Sequence, residues 1–284
     1  MNVAGLGTSD EGFVFTRQDF DVIARMVHAH SGIFLSEAKT QLVYSRLAKF
    51  LREHRMTRFS DYVEMLRTDA EERKRAVYAL TTNHTRFFRE DHHFDHMTAT
   101  LRPLLLKRIA AGNPVRLWSS ASSSGEEPYS MAMTLLGTDR AEANRIIGGD
   151  VAILATDLAP HVIAAAKAGR YPIAQGPDIP DRYARLWMKT AGDTVVMGPE
   201  IQKLVAFRQL NLLDEWPIKG KFDAIFCRNV MIYFDEPTKA RLIERFHEKL
   251  VPNGFLYIGH SERLVGPATD RFEPAGQTIF RRRG

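Results

Sequence analysis

Val115-Arg116-Leu117-Trp118-Ser119-Ser120-Ala121-Ser122-Ser123-Ser124-Gly125-Glu126-Glu127-Pro128 is the stretch that decides the fold. Its first four residues are a short apolar strand, and the small residues that follow form a tight loop. Glu126-Glu127-Pro128 then carries the acids and the early proline of a helix start. Strand, loop and helix in that order open a parallel sheet covered by helices. The alternation continues downstream. Residues 151–156 give a second strand ending at Asp157, with a helix over 162–168 behind it, and 205–210 give a third strand. Residues 222–227 give a fourth, followed by a helix over 237–250, while 254–259 and 277–281 supply a fifth and a last. These runs are apolar on both faces, as strands covered on both sides require. The expected fold is therefore α/β: a doubly wound, mostly parallel sheet that binds its ligand at the carboxyl ends of the strands. Residues 171–203, rich in Pro and Gly, break the alternation and are expected to form a small inserted hairpin subdomain.

Upstream the periodicity is helical. Thr16 is a plausible cap for a helix with Phe20, Ile23 and Val27 at helical spacing, and His30-Ser31-Gly32 ends it. A second helix is expected over 36–55, a third capped by Ser60 and running through Tyr62, Val63 and Leu66, a fourth over 71–80, and a long amphipathic one over 91–110. Residues 1–12 are expected to be disordered, 13–90 to form an all-α domain with a linker, and 91–284 to form the α/β domain.

The chain has 284 residues, 44% hydrophobic and 26% charged, a balance able to bury a core. No stretch approaches the roughly 18 uninterrupted apolar residues of a membrane helix, so membrane insertion is not expected. The opening MNVAGLGTSDEG lacks the basic start and apolar core of a secretory leader. Cys227, the single cysteine, excludes an internal disulfide and any multi-cysteine zinc site, and a reducing cytoplasm is the expected home. His92 and His96 are four residues apart on an expected helix, yet no suitable third ligand is close by, so no metal is expected.

Net charge is only +5, too little for a general nucleic-acid coat. Its placement says more. Lys39, Arg46, Lys49, Arg52, Arg55 and Arg58 face a single acid, Glu53. On a helical wheel Val43, Leu47, Phe50 and Leu51 share one side, and Lys39, Arg46, Lys49 and Arg52 the other. That is either a solvated face or a docking face for an acidic partner.

The loop after the first strand narrows the ligand. A dinucleotide diphosphate needs a glycine-rich turn and bare amides at a helix N-terminus. Here there is one glycine, Gly125, and then two carboxylates, Glu126 and Glu127. That charge suits a cofactor with a cationic head, such as S-adenosylmethionine, although acids in a first turn also simply complement the helix dipole. Asp157 stands where an acid accepts hydrogen bonds from ribose hydroxyls. No Asp/Asn-Pro-Pro-Tyr/Phe segment of amino-group nucleic-acid methyltransferases is present, and Cys227 lies inside an apolar strand with no preceding proline.

Thr81-Thr82-Asn83-His84-Thr85-Arg86-Phe87-Phe88-Arg89-Glu90 resembles the TTNxTxFFRE segment of the chemotaxis receptor methyltransferases, the CheR family. Trp118, Gly125–Ser130, Ala155-Thr156-Asp157, Asn211-Leu212-Leu213, the run 222–234 and Gly259-His260-Ser261-Glu262 follow in the family's order, with Ser122-Ser123-Ser124 in place of its usual Cys-Ser-Thr. The resemblance spans residues 15–281. It implies a helical N-terminal domain and an S-adenosylmethionine domain with an inserted β-subdomain. The implied activity is methylation of glutamate side chains on chemoreceptor cytoplasmic helices, giving glutamyl methyl esters and S-adenosylhomocysteine. It further implies that Asn83, Thr85 and Arg89 close over the cofactor, that Glu126 lies at its methionyl end and Asp157 on its ribose, and that Asn211-Leu212 and Asn229-Val230 hold the adenine and methionyl parts. Arg89 and Tyr233 would stand beside the transferred methyl. The basic face of Lys39, Arg46, Lys49 and Arg52 would dock the receptor, and a monomer is expected. The alternative is a non-catalytic module that binds cofactor or another effector as a signal.

Overall fold

A computed structural model describes residues 12–284. The disorder expected over 1–12 lies, Gly12 apart, outside the described residues. The chain divides into two compact units: residues up to Thr82 together with Tyr233–Asp235, and Asn83–Ile232 together with Glu236–Gly284. Residues 83–90, expected as part of a linker, pack with the second unit.

In the first unit α1 (Arg17–Ser31) opens on a capping box. The Thr16 hydroxyl accepts the Asp19 amide at 3.2 Å, and the Asp19 carboxylate accepts the Thr16 amide at 2.9 Å. Such a cap contributes about 1 kcal/mol. Gly32 closes the helix at φ 71°, in the left-handed region glycine enters without strain. Phe20, Ile23 and Val27 are buried, as their spacing predicts. The second helix, α2 (Thr40–Glu53), starts later than expected because Glu37–Lys39 form a separate 3-10 turn. Its buried stripe is Val43, Leu47, Phe50 and Leu51. On the opposite side Lys39, Lys49 and Arg52 are exposed, but Arg46 is half-buried and donates to the Thr81 carbonyl at 2.6 Å. Arg46 thus satisfies a carbonyl at the end of a neighbouring helix and departs from the exposed basic face it was expected to join. The third helix, α3 (Phe59–Thr68), corrects another expectation: Ser60 is not its cap. Phe59 is itself helical and wholly buried, and its amide is taken by the Val14 carbonyl at 2.9 Å. Helix α4 (Ala70–Leu80) is capped by Asp69, which accepts the Glu71 and Glu72 amides at 2.9 Å each.

The second unit begins with α5 (His92–His96), a π-helical turn over Met97–Leu101, and α6 (Arg102–Ala110). Strand β1 (Val115–Ser120), α7 (Glu126–Leu136), α8 (Arg140–Gly148), β2 (Val151–Asp157) and α9 (Pro160–Ala168) follow. The insertion holds β3 (Arg170–Pro172), α10 (Asp181–Trp187), β4 (Met188–Ala191), β5 (Thr194–Met197) and α11 (Pro199–Leu204). The chain returns through β6 (Val205–Gln209), β7 (Phe222–Cys227), α12 (Glu236–Lys249), β8 (Leu250–Ile258), β9 (Phe272–Gly276) and β10 (Ile279–Arg282).

Seven strands form one sheet in the order β6-β2-β1-β7-β8-β10-β9. The first five run parallel, and β10 is antiparallel to both of its neighbours. Burial on both faces explains the unbroken apolar strands: Leu117 joins the core on one side, while Trp118 packs against Trp216, Phe222 and Phe246 on the other. Strand order reverses direction between β1 and β7, and a ligand crevice opens at such a switch point. The insertion forms a small antiparallel β-subdomain, as expected, with three strands in the order β3-β5-β4, and adds a helix, α10, that was not expected. Seven residues make too few turns to print a helical period.

Candidate functional site

The carboxyl edge of the sheet is built around the loop that leaves β1. Ala121, Ser123 and Gly125 take φ of 67°, 49° and 99°, so three of five residues are left-handed and the turn is compact. A Cβ on Gly125 would lie 2.9 Å from Ala166 Cβ and 2.9 Å from the Tyr171 hydroxyl, so only glycine fits. The Ser122 amide ties the loop to β2 through the Thr156 carbonyl at 2.8 Å.

Two acids meet here. Asp157, 7% exposed at the tip of β2, accepts the Ser123 amide at 2.9 Å and the Ala159 amide at 3.0 Å. Glu126, 2% exposed at the start of α7, accepts the Ser124 hydroxyl at 2.7 Å. Burial pushes both carboxyls above the usual carboxylate range, with these hydrogen bonds pulling the other way. Each therefore gains from a hydroxyl donor or a cation, and an anionic ligand would be repelled. These two acceptors fit the ribose hydroxyls and ammonium of S-adenosylmethionine.

Segment 83–90 reaches the same loop. The Ser123 hydroxyl donates to the Asn83 carbonyl at 2.9 Å, and the Phe88 amide donates to Ser130 Oγ at 3.0 Å. Asn83, Thr85 and Arg89 are half-buried, and Arg89 donates to its own segment at the His84 carbonyl, 3.0 Å away. Leu210 donates its amide to the Asp157 carbonyl at 2.9 Å, which brings Asn211 and Leu212 to the tip of β2. Asn211 holds the turn beyond, accepting the Leu213 amide at 3.1 Å.

Asn229 and Val230 lie in the turn after β7. That turn is held by Glu262, buried, whose carboxylate accepts the amides of Gly259 at 2.5 Å, Asn229 at 3.0 Å and Ile232 at 3.2 Å. The approach is close: a Cβ on Gly259 would sit 2.5 Å from Asn229 Nδ2. Tyr233 falls in the first compact unit, where its carbonyl accepts the Phe34 amide at 2.8 Å.

Sequence reasoning passed over a charged cluster in the second unit. Arg228 lies between Glu127 Oε2 at 3.0 Å and Glu90 Oε2 at 3.2 Å. Glu127 also accepts the Ser119 hydroxyl at 2.7 Å, and Glu90 accepts from Asn229 Nδ2 at 3.2 Å and meets His260 Nδ1 at 3.0 Å. Burial alone would raise the Glu90 carboxyl, but Arg228, His260 and Asn229 outweigh it and bring it down to about 2. The available signal was Arg228 itself, an arginine directly after a strand buried at every position. The histidines before α6 meet the β9–β10 turn and β8: His92 meets the Gln277 carbonyl at 3.2 Å, His93 the Thr278 hydroxyl at 3.0 Å and His96 the Tyr257 hydroxyl at 2.9 Å. Cys227 is wholly buried, and burial pushes its thiol well up, away from nucleophilic use.

A doubly wound sheet with desolvated acids at two adjacent strand ends and a glycine-poor first loop defines an S-adenosylmethionine-dependent methyltransferase. Comparison with known proteins gives the family. The profile described as "CheR methyltransferase, SAM binding domain" matches residues 83–281, and "CheR methyltransferase, all-alpha domain" matches residues 18–81. The chain belongs to the CheR methyltransferase family. It is 42% identical over 265 residues to the probable chemotaxis protein methyltransferase of Rhizobium etli, covering 90% of this chain and 96% of that one. Chemotaxis protein methyltransferase 2 of Pseudomonas aeruginosa is 41% identical over 276 residues, covering 95% of each chain. The chemotaxis protein methyltransferase of Borreliella burgdorferi is 38% identical over 257 residues, covering 88% of this chain and 90% of its own.

Proposed function

We propose that this chain methylates glutamate side chains on the cytoplasmic helices of chemoreceptors, leaving glutamyl methyl esters and S-adenosylhomocysteine. The observation that carries the reading is the pair of buried acids, Glu126 and Asp157, at adjacent strand ends beside the 83–90 segment. S-adenosylmethionine supplies, when bound, an electrophilic methyl on a cationic sulfur. Asp157 takes the ribose hydroxyls and Glu126 the ammonium. Asn211 and Leu212 hold the adenine, Asn229 and Val230 the methionyl part, and Asn83, Thr85 and Arg89 close over the ligand.

A glutamate with pKa about 4.3 is ionised at neutral pH and needs no general base. The protein's task is to align the carboxylate with the methyl group and strip it of water, and such positioning can supply roughly 7–11 kcal/mol of a barrier. Arg89 orients the incoming carboxylate with its guanidinium fork. A cation gripping too tightly would blunt the nucleophile, so the role of Arg89 is orientation.

The first unit recognises the substrate. Lys39, Lys49 and Arg52 present positive charge to acidic receptor helices, and the protein acts in the cytoplasm as a monomer. No helix among the described residues is long and apolar enough to cross a membrane. Reversing Lys49 and Arg52 to glutamate is expected to raise KM for receptor several-fold while leaving S-adenosylhomocysteine affinity unchanged; unaltered receptor kinetics would remove the docking role. Arg46 is left out of that variant because its reversal would strip a carbonyl of its donor at the end of α4. The reaction itself is tested by incubating the protein with labelled S-adenosylmethionine and receptor-containing membranes. Base-labile label on receptor is expected. Label on nucleic acid, or binding without transfer, would overturn the reading.

A further inference from the structure

We infer that Arg228 is a positioning residue, a clamp that fixes Arg89 and the end of the 83–90 segment against the start of α7; the inference rests on the methyltransferase reading above. Every residue of β7 is buried, and the chain then places an arginine whose side chain is only 2% exposed. A guanidinium taken out of water persists only where its donors find acceptors in the right plane. The two terminal nitrogens of Arg228 find three partners on two elements, while its buried Nε has no hydrogen-bond partner among the described residues: Nη1 donates to Glu127 in the first turn of α7, and Nη2 donates to the Arg89 carbonyl and forms an ion pair with the Glu90 carboxylate. The Phe94 ring lies beneath, 5.8 Å from the guanidinium carbon.

The segment it holds needs holding. Phe88 and Glu90 take φ of 49° and 58°, a left-handed backbone that non-glycine residues keep only when their surroundings enforce it. Arg89, between them, has its carbonyl pinned by Arg228 and its side chain turned to His84. The second Glu90 oxygen is fixed by Asn229 and His260, so the clamp also registers this segment against the turns after β7 and β8. Arg228 makes its contribution through Arg89. A lysine would keep the charge, but one ammonium on a flexible stem cannot replace the planar fork that joins two carboxylates and a carbonyl.

A buried ion pair that merely stabilises the fold would act independently of Arg89, and a clamp would not. The test is a double-mutant cycle on the full chain: Arg228→Lys, Arg89→Ala and the double variant, with S-adenosylhomocysteine affinity read by calorimetry below each variant's melting temperature. Each single change is expected to weaken binding by about tenfold, and the double variant to be no more than about twofold weaker than the weaker single. Penalties that multiply, or wild-type affinity in Arg228→Lys, would overturn the clamp and leave the methyltransferase reading standing. If Arg228→Lys fails to fold, Glu90→Gln takes its place, since it keeps the side chain's size and removes only the charge that holds Nη2; the same non-additivity with Arg89→Ala is expected, and multiplying penalties again overturn the clamp. Wild-type protein that binds no S-adenosylhomocysteine would overturn both readings.

Discussion

Asp157 already accepts two backbone amides, one on each carboxylate oxygen. A carboxylate has room for about four hydrogen bonds, so each oxygen still has a direction open to a ribose hydroxyl. Asp157→Ala removes that acceptor and also leaves the Ser123 amide without its partner, loosening the loop that carries Glu126. S-adenosylhomocysteine binding is expected to weaken at least about tenfold by calorimetry; wild-type affinity would mean the ribose lies elsewhere. Asp157 and Glu126 were legible in the sequence because each stands at the junction of an apolar strand or small-residue loop with a helix, where local pattern alone fixes position. Arg228, Glu90 and Glu262 were not, because a lone charge acquires meaning only from partners that the fold brings in. Glu90 meets Arg228 across a separation of 138 residues, and no local rule pairs them.

At the scale of elements, the inserted subdomain braces the loop after β1. Tyr171 on β3 donates its hydroxyl to the Ser124 carbonyl at 2.8 Å and meets Phe87 edge-on at 4.9 Å. Tyr183 on α10 stacks on Phe88 with ring centres 5.4 Å apart. Tyr171→Phe deletes one bond and leaves a carbonyl short of a donor, at a cost of about 1–3 kcal/mol. A fall of roughly 2–4 °C in Tm per kcal/mol is expected for a chain of this size, together with weaker S-adenosylhomocysteine binding; an unchanged Tm would show that the hydroxyl carries no load. The parallel strands were read correctly because burial on both faces leaves an unbroken apolar signature. Short or peripheral elements were not. Strand β9 contains Pro274 and ends at Gly276 on the sheet's edge, where a missing N–H is tolerated and no alternation is imposed. The entry to α3 was misread because its capping role is played by a main-chain carbonyl at Val14, which leaves no trace in the residues near Ser60.

For the whole molecule, the charged cluster sets part of the response to acid. The Glu90 carboxyl lies near 2 in the folded protein against an ordinary value of 4.5. Its stabilising contribution is therefore complete above pH 4.5 and is lost as pH falls from 4.5 toward 2. The full contribution is roughly 3 kcal/mol. Because Glu126, Glu127, Asp157 and Glu262 are pushed the other way by burial, the measurement has to be a difference. The gap in unfolding free energy between wild type and Glu90→Gln is expected to be widest at pH 6 and to close toward pH 2; a gap independent of pH would show that the carboxylate is not held low. The change of period near residue 113 marked where strands begin to alternate with helices, but the membership of residues 83–90 in the second unit was not legible, since their partners there lie tens of residues downstream. Nor was the excursion of Tyr233–Asp235 into the first unit, where the Phe34 amide donates to Tyr233 and His28 Nε2 meets Asp235 at 3.1 Å. Chimaeras are constrained by that excursion. Swapping the helical portion between relatives by cutting once, after Thr82, would graft a foreign Phe34 and His28 onto a resident tripeptide. A compatible exchange has to carry positions 233–235 along with the donor's N-terminal piece.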